Sequence, residues 1–234
     1  MEATYLLNSG FLVRTDDVLL VFDAFDDPAG VLPAAVEKEN YARLYFFVSH
    51  AHFDHFNPMI ARYAAKTQRY LLSEDIRSNA GAAYMPTDRT SWIGLYDAWQ
   101  DDCIAVKSFA STDEGTSFFV EVNGKRIFHA GDFNWWDWTG DTAENRKLAE
   151  NAFRKQMKRL AGLSFDLAFF PVDGRLGPSM ERGAKVFCAE TYPQALVSMH
   201  SVGYPAWKPS EGFFAVGREI PVWSPTQAGQ RHSF

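Results

Sequence analysis

The sequence predicts an α/β protein with two β-rich halves and helices on the outside. Near-continuous apolar runs at 43–49 and 165–173 are typical of strands that are buried on both faces of a sheet. Residues 141–162 carry apolar side chains at helical spacing, which predicts an amphipathic helix. Asn123-Gly124 joins two apolar runs and indicates a β-hairpin. The repeated alternation of strands and helices favours a layered fold.

The first half of the chain is predicted to open with a meander of three strands, because turn residues separate three apolar runs. A helix, a buried strand and a second helix are expected to follow. Asn57 suits the N-cap of this second helix and Pro58 its first position, with Met59 on the apolar face. The predicted elements are 3–8, 11–15, 18–25, 31–39, 43–49 and 57–66.

The second half is predicted to alternate strands with helices. Its longest helix is expected to begin with a capping box formed by Asp141 and Glu144 and to end near Gly162. Leu148 and Phe153 are predicted on the buried face of this helix. The predicted strands are 103–109, 117–122, 125–130, 165–173, 194–200 and 219–223, and the predicted helices are 141–162, 182–191 and 209–216.

Composition limits the classes of protein to consider. A chain of 234 residues with 47% hydrophobic residues can bury a core, and a single domain over 1–234 is expected. The net charge of −6 gives no general attraction for nucleic acid. No signal peptide and no membrane span are evident, and Cys103 and Cys188 lack CxxC spacing, so both are expected to be reduced thiols. These features predict a soluble cytoplasmic protein; the oligomeric state is not predicted.

The most informative stretch is His-Ala-His-Phe-Asp-His at 50–55, directly after the buried strand predicted at 43–49. Imidazole and carboxylate groups are ligands for zinc and also for iron and manganese. His50 and His52 lie on the same side if the segment is extended, whereas Asp54 and His55 can face a second point after a bend. Four such groups within six residues cannot easily all point inward at one tetrahedral ion, so the spacing predicts two adjacent ions. A solvated polar loop is the alternative interpretation.

Two more candidate ligands lie at predicted strand ends. Asp132 follows Gly131, which allows a tight turn, and the alternative is an ordinary turn aspartate. His200 ends the apolar strand predicted at 194–200, and the alternative is a histidine at the edge of the core. Together with the segment 50–55, both are better interpreted as metal ligands.

The segment 50–55, the sequence His-Ala-Gly-Asp at 129–132 and the late strand-terminal His200 resemble the metallo-β-lactamase fold superfamily. The resemblance covers essentially the whole chain, and segments 111–136 and 169–177 are similar to a group of small bacterial hydrolase-like proteins. It implies a four-layer αβ/βα sandwich of two mixed β-sheets with helices on the outer faces and a dinuclear site at one edge. In this resemblance the first metal belongs to His50 and His52, the second to Asp54, His55 and His200, and Asp132 bridges both.

One position departs from the family. The first metal normally has a third histidine, but the matching stretch at 110–115 contains none. Thr112 or Asp113 falls at about that place, so the first site is expected to be weak, to use Asp113 or to be empty. His129, three residues before Asp132, is interpreted as a packing or supporting residue.

The resemblance implies a metal-dependent hydrolase in which a metal-activated water attacks an ester, lactone, thioester, amide or phosphodiester bond of a small-molecule substrate. Asp54 would bind an ion and also orient or deprotonate the water. The expected cofactor is a divalent metal, zinc with iron or manganese as alternatives, at up to two ions. A non-catalytic metal- or partner-binding protein is the alternative, because the third histidine is missing.

The aromatic stretch that follows Asp132 is interpreted in two ways. Trp135, Trp136 and Trp138 either cap the core or form an apolar wall beside the metals. Tyr204 and Trp207 are further candidates for this wall, and Arg175 is the one cation that the sequence singles out nearby.

Overall fold

The computed structural model describes residues 1–38 and 40–234, which form sixteen strands and three α-helices. The strands, numbered in chain order, are β1 (Glu2–Leu7), β2 (Gly10–Thr15), β3 (Val18–Phe22), β4 (Arg43–Val48), β5 (Arg69–Ser73), β6 (Thr90–Ile93), β7 (Ala98–Gln100), β8 (Ile104–Ala110), β9 (Thr116–Val122), β10 (Lys125–His129), β11 (Ser164–Phe165), β12 (Leu167–Pro171), β13 (Tyr192–Pro193), β14 (Leu196–Met199), β15 (Val222–Trp223) and β16 (Arg231–Ser233). The helices are α1 (Val31–Lys38), α2 (Ala143–Leu160) and α3 (Arg182–Glu190). Short 3₁₀ helices occupy Pro58–Tyr63, Glu74–Ser78, Ala80–Tyr84 and Gly174–Ser179.

Two seven-stranded mixed sheets form the centre of the structure. The first has the order β16-β1-β2-β3-β4-β5-β6, and its strands are parallel from β3 to β6. The second has the order β15-β14-β12-β10-β9-β8-β7, and its strands are parallel from β10 to β15. β11 and β13 form a separate two-stranded sheet.

The inner faces of the two large sheets pack on each other through aromatic side chains. The rings of Phe47 and Phe118 lie 5.4 Å apart between centroids, and those of Phe11 and Phe169 lie 4.6 Å apart. Burying such large apolar groups is the main term that favours folding, at roughly 25 cal/mol per Å² of apolar surface removed from water.

Helices cover the outer faces of both sheets. Leu32 and Ala35 of α1 pack with the outer side chains of the first sheet. On the second sheet, Phe187 of α3 stacks on Phe128 at 5.4 Å, and Phe153 of α2 is fully buried. The layers are therefore helix, sheet, sheet and helix, which confirms the predicted four-layer αβ/βα sandwich.

Five polar residues follow strands that run parallel to a neighbour, and these strands end at the same edge. Asp23 follows β3, His50 follows β4, Asp132 follows β10, Asp173 follows β12 and His200 follows β14. In open α/β sheets the edge formed by carboxyl ends of parallel strands is the usual place for a site.

The helix predicted at 57–66 is instead a short 3₁₀ helix, Pro58–Tyr63. Asn57 caps it as expected, since its side chain accepts a hydrogen bond from the Met59 amide at 2.9 Å. Met59, however, is exposed, because six residues make too little helix to present a continuous apolar face.

The start of α2 also differs from the prediction. Thr142 and not Asp141 is the N-cap, and its hydroxyl accepts from the Asn145 amide at 3.1 Å. Leu148 is exposed, since the helix reaches the core only in its last part, through Phe153, Met157 and Leu160.

Other differences lie in the chain termini and in the middle of the sequence. The segment predicted as a helix at 209–216 forms turns, and the terminal strand is confined to Val222–Trp223. α1 ends at Lys38, and residue 39 of the predicted helix lies outside the described residues. The sequence did not predict β5, β6, β7 or β16. Cys103 and Cys188 are free thiols, and none of the helices described is long and apolar enough to cross a membrane.

Gly131 brings the ends of the two sheets together. Its φ of +54° lies in the left-handed region, and a Cβ there would lie 2.7 Å from the Ser49 Cβ and 3.0 Å from the Thr116 carbonyl oxygen. Gly124 in the hairpin has a similar φ of +69°, but nothing lies within 4 Å of a Cβ at that position.

We expect Gly131→Ala to destabilise the protein by at least about 2 kcal/mol, because it adds a steric clash to the cost of a left-handed backbone. Gly124→Ala is the matched control, in which only the backbone cost of roughly 1 kcal/mol applies. Urea unfolding of both variants measures the difference. Equal losses of stability would contradict the close approach at Gly131.

Candidate metal centre

The structure brings together the six residues singled out as candidate ligands, although they span 150 positions of the chain. The carboxylate of Asp132 lies at the centre of the group, close to three of the histidines. His55 Nε2 lies 3.2 Å from Asp132 Oδ1, and His200 Nε2 and His50 Nε2 lie 3.4 and 3.7 Å from Asp132 Oδ2. Asp54 Oδ2 lies 3.8 Å from Nε2 of both His55 and His200. His52 lies beside His50, with its Nδ1 3.0 Å from the Nε2 of His50.

These donor atoms form three overlapping groups, in each of which all ligand atoms lie within 4.8 Å of one another. The groups are His50, His55 and Asp132; Asp54, His55 and His200; and His52, Asp113 and Asp132. The overlap through His55 and Asp132 makes the cluster one continuous site and not two separate ones.

Two atoms at the centre of this cluster show that a cation would fit. His55 Nε2 and Asp132 Oδ1, which lie 3.2 Å apart, are two of the eight buried side-chain atoms without a hydrogen-bond partner among the described residues. A buried polar atom without a partner costs free energy, and such atoms are rare in native proteins. A divalent ion would supply the missing partner to a nitrogen and an oxygen that are both suitable metal ligands.

Asp23, which the sequence analysis missed, orients two of the histidines. Its carboxylate accepts hydrogen bonds from the Ser49 amide and hydroxyl, both at 2.7 Å, and from His55 Nδ1 at 2.8 Å. Because the Ser49 hydroxyl donates to Asp23, it is free to accept from His50 Nδ1, 3.0 Å away. Both imidazoles thus keep a proton on Nδ1 and direct Nε2 towards the cluster, where Nε2 could bind a cation once it is unprotonated.

Asp173 orients the imidazole of His200. Its Oδ2 lies 3.0 Å from His200 Nδ1, so that the Nε2 of His200 faces Asp132. The backbone of His200 has a φ of +60°, an unfavourable conformation for a residue with a side chain. The Asn8 carbonyl accepts from the His200 amide at 3.2 Å and helps to hold this conformation.

Asn8 also positions Asp54. The Asn8 Nδ2 donates to Asp54 Oδ2 at 3.0 Å, and the Asn8 amide donates to the Tyr5 hydroxyl at 2.8 Å. Neither Asn8 nor Asp23 carries a sequence signal of its own, because a polar residue at a strand end is also the pattern of an ordinary turn.

His129 belongs to the packing and not to the ligand cluster. Its Nε2 lies 2.8 Å from the Ser9 carbonyl oxygen, and its Nδ1 accepts from the Gly131 amide at 3.2 Å. The ring stacks on Phe22 with an interplanar angle of 4°. With both nitrogens occupied, His129 supports the turn before Asp132.

Burial and the local charges control protonation in the cluster. Burial, together with the neighbouring His55, lowers the pKa of His50 to about 4. Burial also opposes protonation of His200, but hydrogen bonds to Asp132 and Asp173 outweigh it and raise the pKa of His200 to about 9. The charge of His55 and the hydrogen bond from His200 in turn hold the pKa of Asp132 well below its usual value, against the effect of burial. Asp132 therefore carries a negative charge that protonated histidines balance, and a bound cation would take over that role.

Several solved structures share this arrangement of layers. Igni18, a metallo hydrolase from the archaeon Ignicoccus hospitalis, is similar at 17% identity with a TM-score of 0.65, over 100% of this chain and 98% of that one. YhfI from Bacillus subtilis, a metallo-β-lactamase fold protein, is similar at 12% identity with a TM-score of 0.59, over 99% of each chain. The chain has the metallo-β-lactamase fold.

A third structure of similar fold is that of a hydroxylase and not of a hydrolase. The diiron β-hydroxylase CmlA from Streptomyces venezuelae is similar at 11% identity with a TM-score of 0.57, over 85% of this chain and 44% of that one. Neither the protein-family models nor the curated protein sequences gave a match. At these identities the likeness shows the metallo-β-lactamase fold and does not assign an activity.

At the position where the fold family has its third histidine, the two candidates behave differently. The Thr112 hydroxyl donates to the Asn134 carbonyl at 2.6 Å and accepts from the Asn134 amide at 2.9 Å, so it holds the loop after Asp132. Asp113 Oδ2 lies 3.8 Å from His52 Nδ1 and belongs to a group of possible ligands with His52 and Asp132. Asp113 is therefore the candidate for the missing ligand.

A pocket of about 520 Å³ opens beside the cluster, and two of the three tryptophans line it. Trp136 donates from Nε1 to the Asp132 carbonyl at 2.9 Å, and its ring lies edge-on to His200 at 5.5 Å. Trp138 stacks on Trp136 with an interplanar angle of 8°. Trp135 instead packs on α2, where its ring stacks on Phe153 at 6.0 Å.

The two late aromatic candidates, Tyr204 and Trp207, lie in different surroundings. Tyr204 lines a smaller pocket of about 270 Å³ that also borders His200. Trp207 is buried away from both pockets, and its Nε1 donates to Glu181 at 2.6 Å.

Asp137 anchors the loop that carries Trp136 and Trp138. Its buried carboxylate accepts from Arg146 Nε at 2.5 Å and from the Ser179 hydroxyl at 2.7 Å, and it also pairs with Arg182. The hydrogen bond from Arg146 is the main cause that lowers the pKa of Asp137 to about 2.

The lowered pKa of Asp137 predicts a dependence of stability on pH. A carboxyl with a depressed native pKa stabilises the fold fully above its unfolded value of about 3.9, and this contribution disappears as the pH falls towards 2. We expect Asp137→Asn to lose about 1–2 kcal/mol of unfolding free energy at pH 7, allowing for the solvent exposure of both arginines. The difference from wild type should begin to shrink as the pH falls below about 4, and part of it should be lost at pH 3.

Urea unfolding from pH 3 to pH 7 measures this effect. Asp88→Asn is the control, because Asp88 is largely exposed and should show a small difference at every pH. A loss in Asp137→Asn that does not change with pH would contradict the ion-pair role of Asp137.

Proposed function

We propose that the chain is a metal-dependent hydrolase that binds up to two divalent cations in the His/Asp cluster. The observation that carries this proposal is the pair of buried, unpartnered atoms His55 Nε2 and Asp132 Oδ1 among the described residues, in the middle of the converging ligands and next to an open pocket. These two atoms differ from the other buried atoms without a partner because they lie together within a group of possible metal ligands.

The proposed ligands divide into two positions that share Asp132. The first position takes His50, His52 and Asp113, and the second takes Asp54, His55 and His200, each completed by Asp132. Each position then offers two imidazole nitrogens and two carboxylates, a donor set that suits zinc and also iron and manganese. We propose zinc, and iron is the alternative that the diiron protein CmlA of the same fold supports.

When bound, the ions would lower the pKa of a water molecule to about 7 and polarise a carbonyl or phosphoryl group of the substrate. Asp54 lines the pocket and has one oxygen held by Asn8, so its orientation is restricted. Its carboxylate would orient the attacking water and accept its proton. Asp23 and Asp173 would hold the histidines in the required tautomer.

The proposed substrate is a small molecule with an ester, lactone, thioester, amide or phosphodiester bond. A non-catalytic protein that binds metal or a partner is the second candidate, and the observation that favours it is the missing histidine. Asp113 has 47% of its side chain exposed and is a less enclosed ligand than a buried histidine. Metal analysis of protein purified without chelator, followed by a screen of these bond types, separates the two candidates.

The metal content should depend on Asp113. We expect two ions per wild-type chain with unequal affinities, because His52 and Asp113 are half-exposed whereas His55 and His200 are buried. Asp113→Ala should reduce the content towards one ion, since the remaining position keeps all of its ligands. Elemental analysis and calorimetric titration with zinc measure both quantities.

Glu114→Ala is the matched control for Asp113→Ala. Glu114 Oε2 lies 3.4 Å from the other ring nitrogen of His52, Nε2, and belongs to none of the groups of possible ligands. The control should keep two ions. Two tight, equal sites in Asp113→Ala would show that Asp113 is not a ligand.

We expect Asp54→Ala to remain folded and to lose at least about 100-fold in turnover, because proton transfer alone contributes on the order of 10² to 10⁴. Asp54 lies on a loop, so its removal leaves no apolar cavity. Turnover, metal content and thermal unfolding are measured on the same preparations, with Glu114→Ala as the control. Near-normal turnover in Asp54→Ala would exclude Asp54 as the proton acceptor.

A further inference from the structure

Arg175 lies at the boundary between the two pockets beside the candidate metal centre. It lines both the pocket of about 520 Å³ and the pocket of about 270 Å³, together with Asp54 and His200. Among the described residues that line these pockets, Arg175 is the one arginine or lysine. A substrate that reaches the cluster through either pocket therefore passes this cation.

The guanidinium of Arg175 is held in place before any ligand binds. Its Nε donates to both oxygens of Asp173, at 3.0 and 2.8 Å, and one terminal nitrogen donates to Asp173 at 2.5 Å. The guanidinium carbon Cζ of Arg175 lies 5.4 Å from the ring centroid of Trp138. A fixed guanidinium loses little side-chain entropy on binding, which favours recognition of a defined group.

One edge of Arg175 remains available. Within the part of the chain that the structure describes, the side-chain hydrogen bonds of Arg175 use Nε and one terminal nitrogen, and the other terminal nitrogen makes none. The side chain is 53% exposed and lines both pockets. Arginine N–H groups form strong, directional hydrogen bonds to carboxylates and phosphates.

The charges around this edge favour a monoanion. Asp173 already offsets part of the charge of Arg175, whereas the carboxylates of Asp54, Asp113 and Asp132 in the same pocket would be neutralised by bound cations. With its charge partly offset, Arg175 matches a group with one negative charge better than a group with two. A carboxylate fits this balance better than a phosphate monoester.

We propose that Arg175 determines substrate specificity by binding a carboxylate of the substrate, so that the hydrolase acts on esters or amides of carboxylic acids that carry a second, free carboxylate. This inference rests on the proposed hydrolase function and specifies its substrate class. Arg175 touches the substrate at a distance from the bond that is cleaved.

The test compares two esters of equal chain length in the zinc-loaded protein: 4-nitrophenyl pentanoate, which is neutral, and the mono-4-nitrophenyl ester of glutaric acid, which ends in a carboxylate. Wild type should prefer the glutarate ester in kcat/KM. Arg175→Gln should raise KM for the glutarate ester by about tenfold to a hundredfold relative to the pentanoate ester, the usual effect of losing charge-assisted hydrogen bonds. Arg175→Lys should recover part of the preference, because it keeps the charge.

Arg154→Gln is the matched control, since it removes one positive charge from α2, where Arg154 pairs with Glu150. It should keep the wild-type preference. Equal loss of kcat for both esters in Arg175→Gln, with no change in preference, would show that Arg175 only supports His200 through Asp173. Absence of any preference in wild type would also overturn the proposal.

Calorimetry with free glutarate provides a readout that is independent of turnover. Zinc-loaded wild type should bind glutarate more tightly than zinc-loaded Arg175→Gln, with zinc content measured in both. Wild type that cleaves neither ester would count against the hydrolase, whereas the difference in glutarate binding would still decide the role of Arg175. Equal glutarate affinities would reject carboxylate binding by Arg175.

Discussion

The buried carboxylate of Asp23 is the interaction on which the rest of the site depends. It accepts three hydrogen bonds, two from Ser49 and one from His55, and all three come from the loop after β4. Burial alone would raise its pKa, but the neighbouring histidines, His55 first, lower the pKa, and Asp23 remains an anion inside the protein. One buried charge therefore determines both the path of the loop and the direction of its imidazoles.

The second constraint is the close approach of the two sheets at this edge. The Ser49 carbonyl accepts from the Thr116 amide at 2.8 Å, which joins the loop after β4 to the start of β9. A Cβ at Gly115 would lie 2.0 Å from that carbonyl oxygen, so only glycine fits. Together with Gly131 on the same side, this contact brings Asp132 from the second sheet within reach of the histidines of the first.

The same cluster couples the candidate metal centre to the pocket wall. Asp173 contacts His200 on one side and Arg175 on the other. Trp136 contacts both the Asp132 backbone and the His200 ring. The residues that would hold metal and those that would meet a substrate are thus supported by the same few contacts.

The sequence by itself determined the local features of this protein. The apolar runs predicted the central strands, Asn123-Gly124 predicted the hairpin, and the dense His/Asp segment at 50–55 indicated the site, because each of these signals depends on residues close together in the chain. Edge strands such as β7 and β16 were missed, since they are short and partly exposed and lack an apolar pattern.

Only the tertiary structure decided which polar residues serve the site. Asp23, Asn8 and Asp173 look like ordinary turn residues until parallel strands from two sheets bring their ends to one edge. The same applies to the choice between Thr112 and Asp113 and to the opposite directions of Trp135 and Trp136. Neighbouring residues differ here because burial and hydrogen-bond partners come from distant parts of the chain, and no local pattern encodes those distances.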